Sequence, residues 1–208
     1  PPSSALNGNG PLADKKGYGF DGCSPNILME RAEVVDGRIE FPGGTSYRLL
    51  VLPRSATMTP RLLEKIAQLV EAGAVVYGAP PNASPSLSGY PQCDAKLQEL
   101  ARNLWGRPTS SVRQYGKGRI ILDPVAQEAK ELYPDYATTA GVLEEMKVPQ
   151  DFVSSGPVRY AHRVSASEDL YFLANTTHRR VETTCTFRVQ QGTPQLWNPV
   201  TAEIRALP

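Results

Sequence analysis

YRLLVLPRSATMTPRLLEKIAQLVEAGAVVYG, residues 47–78, decides the fold class of this chain. Its first part, YRLLVLP at 47–53, is a compact apolar run that suits a strand covered on both faces. Thr59 then caps a helix, and Pro60 suits the first helical position because its missing N–H is not needed there. Leu62, Leu63, Ile66, Leu69 and Val70 recur at helical spacing until Gly73 ends the helix. AVVYG at 74–78 supplies the next strand. Strand, helix and strand in that order predict a right-handed βαβ unit with parallel strands.

Working outward, the alternation continues. Asp94 is read as the cap of a helix carrying Leu97, Leu100, Ala101, Leu104 and Trp105, ended by Gly106 and Pro108, before a strand in RIILD at 119–123. Asp123 and Pro124 are read as the start of a further helix, through about Leu132. Upstream, YGFDGCSPNILMERAEVVDGRIEF suggests a short helix around Asn26–Arg31 and a hairpin turning at Asp36 and Gly37. The predicted class is α/β, an open and mostly parallel sheet with flanking helices. From about residue 157 the period changes to two. VRYAHRV, DLYFLAN, VETTCTFRV and PQLWNPVTAEIRAL read as strands, so the tail is a small all-β segment or a partial β-sandwich. The expected boundaries are a linker at 1–17, an α/β domain at 18–148 and a β domain at 149–208.

Composition narrows the partners. Among 208 residues, 22 Lys and Arg face 21 Asp and Glu, a net charge of +1 that provides no global field for nucleic acid or a charged membrane. No apolar stretch approaches the roughly 20 residues that span a bilayer. A hydrophobic content of 40% is ordinary for a folded domain despite 19 Pro and 17 Gly. The chain opens with PPSSALNGNGP, without a starting Met or a signal sequence, and reads as an excised or processed piece. Cys23, Cys93 and Cys185 lie far apart with no paired histidines, which argues for three buried thiols and against a metal site, with one disulfide and a spare thiol as the alternative.

The turn after AVVYG is where an α/β enzyme would place a phosphate loop or a nucleophile. Here it holds Gly78, Ala79, Pro80 and Pro81, with no Cys or Ser nucleophile and too few backbone N–H groups to cradle a phosphate. It reads as a plain structural turn. GNGPLA at 8–13 matches a dinucleotide-binding spacing but follows no strand, and YGKGRII at 115–121 reads as a turn before a strand. No cofactor is expected. His162 and His178 are read as surface or hydrogen-bonded histidines, and Trp105 as core; Trp197 is undecided. Asp21, Glu30, Asp94, Asp123, Glu144 and Glu145 are the carboxylates from which a hydrolytic pair would have to come.

DGRIEFPGGTSYRLLVLPRSATMTPRLLEKIAQLVEAGAVVYGAPPNASPSL resembles the flavodoxin-like or amidotransferase-like domain that follows the barrel of several bacterial glycoside hydrolases, most closely those of family 106, the α-L-rhamnosidases. DAKLQELARNLWG with YGKGRII is similar to the family's next cycle, and RYAHRVSASEDLYFLANTT with FRVQQGTPQLWNPVTAEI to the opening of its β-sandwich. The resemblance implies an upstream barrel carrying the catalytic glutamates and calcium, and no catalytic residue or metal ligand in this chain. FDGCSPNIL resembles the stretch leaving that barrel; Asp21 and Asn26 fit it, as implied substrate contacts, while Cys23 and Ser24 depart from it. The implied function is a non-catalytic accessory portion that braces the barrel or mediates homo-oligomer contacts, in an enzyme secreted or periplasmic in a bacterium. The alternatives are an independent small glycoside hydrolase with an unrecognised carboxylate pair, or a carbohydrate-binding module with a carbohydrate ligand.

Overall fold

The structure is a computed structural model that describes residues 17–106, 111–126 and 130–207. The linker expected at 1–17 and the GNGPLA stretch therefore lie almost wholly outside the described residues, as does Pro108. The chain divides into two compact units. One holds residues 20–148 and the other residues 149–208, with 17–19 joining the second.

The first unit opens with helix α1 (Pro25–Arg31), capped by the Ser24 side chain, which accepts from the Ile27 N–H. Strands β1 (Glu33–Val35) and β2 (Arg38–Glu40) form the expected hairpin. Its turn puts Asp36 at φ 49° and Gly37 at φ 71°, the left-handed pair whose twist suits a two-residue hairpin. β3 (Ser46–Tyr47) adds antiparallel to β2, setting Tyr47 opposite Ile39.

A second sheet contains β4 (Leu50–Val51), β5 (Val75–Gly78), β6 (Val112–Tyr115) and β7 (Gly118–Leu122), in the order β4-β5-β7-β6. β4, β5 and β7 are parallel, and β6 is an antiparallel edge. The strand read over 47–53 is thus divided between two sheets: Tyr47 pairs in the first and Leu50 in the second. Leu50 and Leu52 pack with one cluster of core residues and Leu49 and Val51 with the other, so hydrophobicity alone does not mark the change of sheet.

α2 (Pro60–Ala72) links β4 to β5 with the predicted ends. Thr59 accepts from the Leu62 N–H, Pro60 begins the helix, and Gly73 at φ 131° ends it. α3 (Cys93–Trp105) lies in the connection from β5 to the β6–β7 hairpin. Leu63, Ile66 and Val70 of α2 and Leu97 and Leu104 of α3 pack with Val76 and Ile120, all nearly inaccessible to solvent. Because successive strand residues point to opposite faces, Tyr77 and Ile121 face the other way. There they meet Val142 of α4 (Tyr136–Glu145). Helices therefore cover both faces of the sheet.

Close approach of helix and strand explains Gly118. A Cβ there would lie 2.2 Å from the Ala74 carbonyl oxygen and 2.3 Å from that of Val70. Gly118→Ala is expected to destabilise this unit by about 1–3 kcal/mol, the usual effect of overpacking. Urea denaturation followed through Trp105 would measure it; unchanged stability would mean that the end of α2 retreats freely.

Three local expectations are corrected. Asp94 does not cap α3: the helix begins one residue earlier, and the Asp94 carboxylate accepts from the Ser84 backbone N–H at 2.7 Å, tying down the preceding loop. The helix read from Asp123 to Leu132 is absent at its described residues, which form turns and bends. Asp123 is drawn to Arg54 and to the Val125 N–H two residues on, a local turn that competes with a helix cap. Of the three thiols, only Cys93 is buried; all are free, with Cys23 exposed and Cys185 half-buried.

The second unit is all-β among its described residues. β8 (Phe152–Ser154) pairs with β11 (Cys185–Phe187), β9 (Val158–Val164) with β10 (Asp169–Asn175), and β12 (Gln195–Trp197) with β13 (Ile204–Ala206). Every pair is antiparallel. Tyr18 and Phe152 are the hydrophobic residues buried in the described part of this unit, while Leu170, Phe172, Trp197 and Val200 are at least half exposed.

Candidate functional site

In a parallel α/β sheet, the carboxyl ends of the strands form the usual ligand crevice. Here those ends bring together Leu52 to Arg54 after β4, Gly78 to Pro81 after β5, and Asp123 after β7. Among the described residues, close contacts tie these ends to one another. Gly78 accommodates Leu52, whose Cβ would be 2.7 Å from an added side chain. The Gly78 carbonyl accepts from the Trp105 indole N–H at 3.0 Å and from the Asp123 backbone N–H at 3.3 Å. Trp105 thus serves the core, as its position on the apolar stripe predicts, and also latches the turn.

Beside that turn, the Arg54 Nε donates to Asp123 Oδ2 at 2.6 Å, with a second contact at 3.4 Å from Arg54 Nη2 to Oδ1. The two side chains are 9% and 1% exposed. The hydrogen bond with Asp123 raises the Arg54 guanidinium above its ordinary range. Tyr77 next to them is pushed up to about 12, first by burial and then by the Asp123 charge and its hydrogen bond. Asp135, which caps α4 by accepting from the Thr138 N–H at 2.7 Å, is held below the ordinary carboxylate range chiefly by that bond. A carboxylate this enclosed and already joined to a cation is a clamp, not a free acid or base. Close by, an apolar hollow lined by Pro80, Trp105, Gly106, Ser111, Arg113 and Leu122 measures only about 100 Å³. That is well below the few hundred Å³ of a typical small-molecule pocket.

The other weighed carboxylates do not join Asp123: Asp21, Glu30, Asp94, Glu144 and Glu145 are all exposed. Among the described residues, no group of three His, Cys, Asp or Glu is placed to hold a metal ion. No helix among them is long and apolar enough to cross a membrane.

Asp21 and Asn26 are both exposed, Asp21 in the loop before α1 and Asn26 in the first turn of that helix. Sequence reading did not identify the partner of Asp21. The Tyr47 hydroxyl donates to Asp21 Oδ2 at 2.8 Å across 26 residues of sequence. Burial first, and Asp21 second, push Tyr47 up to about 12. The Tyr47 ring is itself supported edge-on by Phe41, with centroids 5.9 Å apart.

In the second unit His162 is hydrogen-bonded, as expected, but to carboxylates on both sides. Nδ1 lies 2.9 Å from Asp151 Oδ2 and Nε2 lies 2.8 Å from Asp169 Oδ1. The ring stacks on Tyr171 at 3.9 Å. Asp151 also accepts from the Tyr171 hydroxyl at 3.2 Å and the Arg188 guanidinium at 2.7 Å. Burial, followed by Asp151, raises the Tyr171 hydroxyl well above its ordinary range. The strand register forecasts part of this, since pairing β9 with β10 sets His162 opposite Tyr171. Asp151 and Arg188 carry no periodic signal that would have joined them. His178 is exposed, and Trp197 lies on the surface with its indole N–H donating to Gln195.

Comparison with known proteins bears on these two units. The sequence profile of glycoside hydrolase family 106, described as alpha-L-rhamnosidase, matches residues 3–208. A protein of Formosa agariphila provisionally named a beta-glucuronidase is 32% identical over 196 residues, which is 94% of this chain and 15% of that protein. The structure of a rhamnosidase from Novosphingobium sp. PP1Y aligns with a TM-score of 0.82 at 28% identity, over 98% of this chain and 19% of its own length. The chain therefore spans less than one fifth of either relative.

Proposed function

Because the chain belongs to the alpha-L-rhamnosidase family, glycoside hydrolase family 106, we propose that it is the non-catalytic accessory portion of such a hydrolase. In this reading a flavodoxin-like or amidotransferase-like unit, followed by part of a β-sandwich, braces a catalytic barrel or mediates contacts between subunits. One observation carries it: the place where an α/β enzyme keeps its reactive groups holds the Arg54–Asp123 pair, with Asp123 only 1% exposed. Hydrolysis of a glycosidic bond needs two carboxyl groups with room for the sugar between them. Asp123 has neither an accessible oxygen nor a free charge to offer. The exposed Leu170, Phe172, Trp197 and Val200 favour a docking role for the second unit. In the same reading the exposed Asp21 and Asn26 contact sugar hydroxyls.

The test is turnover of aryl α-L-rhamnosides and other aryl glycosides by the purified 208-residue chain. None is expected. Turnover that survives purification and disappears in Asp123→Asn would replace the accessory role with an independent hydrolase.

A further inference from the structure

We infer that Tyr47 is a positioning residue that fixes the Asp21 carboxylate, leaving Oδ1 and the remaining acceptor capacity of Oδ2 for a sugar diol. This rests on the reading of Asp21 as a sugar contact, and adds to it the residue that makes the contact rigid.

Asp21 sits in a loop, where a short carboxylate would otherwise sample several rotamers and would lose that freedom on binding. Tyr47 lies instead on β3, in register with Ile39 of β2, and its ring rests against Phe41. Its hydroxyl reaches Asp21 Oδ2 at 2.8 Å. A carboxylate offers about four lone-pair sites, so one phenol donor leaves most of them open to hydroxyl donors from the ligand. With the phenol pushed up to about 12, Tyr47 keeps its proton and remains a donor throughout the neutral range. The arrangement is that of a rigid element holding a loop residue in its binding geometry.

Titration of the isotopically labelled chain with L-rhamnose, followed by NMR, tests this. The signals to read are the Asp21 carboxyl carbon, the Asn26 side-chain amide and the hydroxyl-bearing ring carbon of Tyr47. In the wild type, rhamnose is expected to shift all three, including the Tyr47 carbon, although Tyr47 does not touch the sugar. Asp21→Asn is expected to abolish the response. Tyr47→Phe, which keeps the ring against Phe41, is expected to weaken binding by about 3- to 10-fold, the scale of one hydrogen bond, with the backbone spectrum unchanged. If Asp21→Asn abolishes binding while Tyr47→Phe binds as the wild type does, the role of Tyr47 is wrong and that of Asp21 stands. If Asp21→Asn binds normally, or the wild type does not respond, Asp21 is no sugar contact and the inference falls with it. A wild-type Tyr47 carbon that stays still while Asp21 shifts overturns the coupling without recourse to any variant.

Discussion

Asp123→Ala will lower the stability of the first unit by about 3–5 kcal/mol, because it leaves the Arg54 guanidinium enclosed without its counter-charge. The pair is short, at 2.6 Å, and Asp123 is 1% exposed. Alanine would also remove the acceptor for the Val125 N–H, loosening the chain just after β7. The Arg54 backbone donates to the Leu132 carbonyl, so the same residue ties that downstream stretch to the end of β4. Urea unfolding monitored through Trp105, which touches the neighbouring turn, is the appropriate measurement. The double replacement Arg54→Met with Asp123→Leu should recover most of the loss, since exchanging both members of a buried ion pair for apolar residues is often neutral. A stabilised Asp123→Ala protein would instead mark strain of the kind kept at active sites. It would reopen the strand ends as a site of chemistry.

The elements legible in the sequence were those whose causes are local. Thr59, Pro60 and Gly73 bound α2 because cap, missing donor and left-handed backbone all act within a few residues. Asp36 and Gly37 place the first hairpin for the same reason. Trp105 followed from its place on the stripe of Leu97, Ala101 and Leu104, although its bond to the Gly78 carbonyl did not. Where the reading failed, a distant partner had outbid a local one. Asp123 resembled a cap but belongs to Arg54, 69 residues earlier. Asp94 looked like a cap but holds Ser84. Tyr47 continued an apolar run, yet its hydroxyl serves Asp21 and its backbone another sheet. What the sequence conveys about the turn after β5 is its composition: Ala79 has no reactive side-chain atom, and Pro80 and Pro81 have no N–H donor. The Arg54–Asp123 clamp beside it was not legible, because an ion pair between connections leaves no period in the sequence.

The second unit depends more on polar contacts, and Asp151→Ala is expected to cost it about 3 kcal/mol. Few of its described apolar residues are buried, so hydrophobic packing supplies little reserve. Asp151 joins four parts of the unit. Its N–H donates to the Gly17 carbonyl, its own carbonyl accepts from the Arg188 N–H, and its carboxylate meets His162 of β9 and Tyr171 of β10. The Arg188 guanidinium, half exposed, adds less because solvent screens it. Removing the carboxylate leaves His162 Nδ1 and the Tyr171 hydroxyl without that acceptor, while Asp169 still holds the far side of the ring. Asp151→Asn retains one acceptor oxygen and should lose less. Since a unit of this size has on the order of 3–9 kcal/mol in total, the alanine variant should open readily. Amide hydrogen exchange along 158–175 would show it, as lost protection in the β9–β10 hairpin with the first unit unaffected. Full protection there in Asp151→Ala would mean that the aromatic contacts of Phe152, Tyr160 and Phe187 hold the hairpin without the carboxylate.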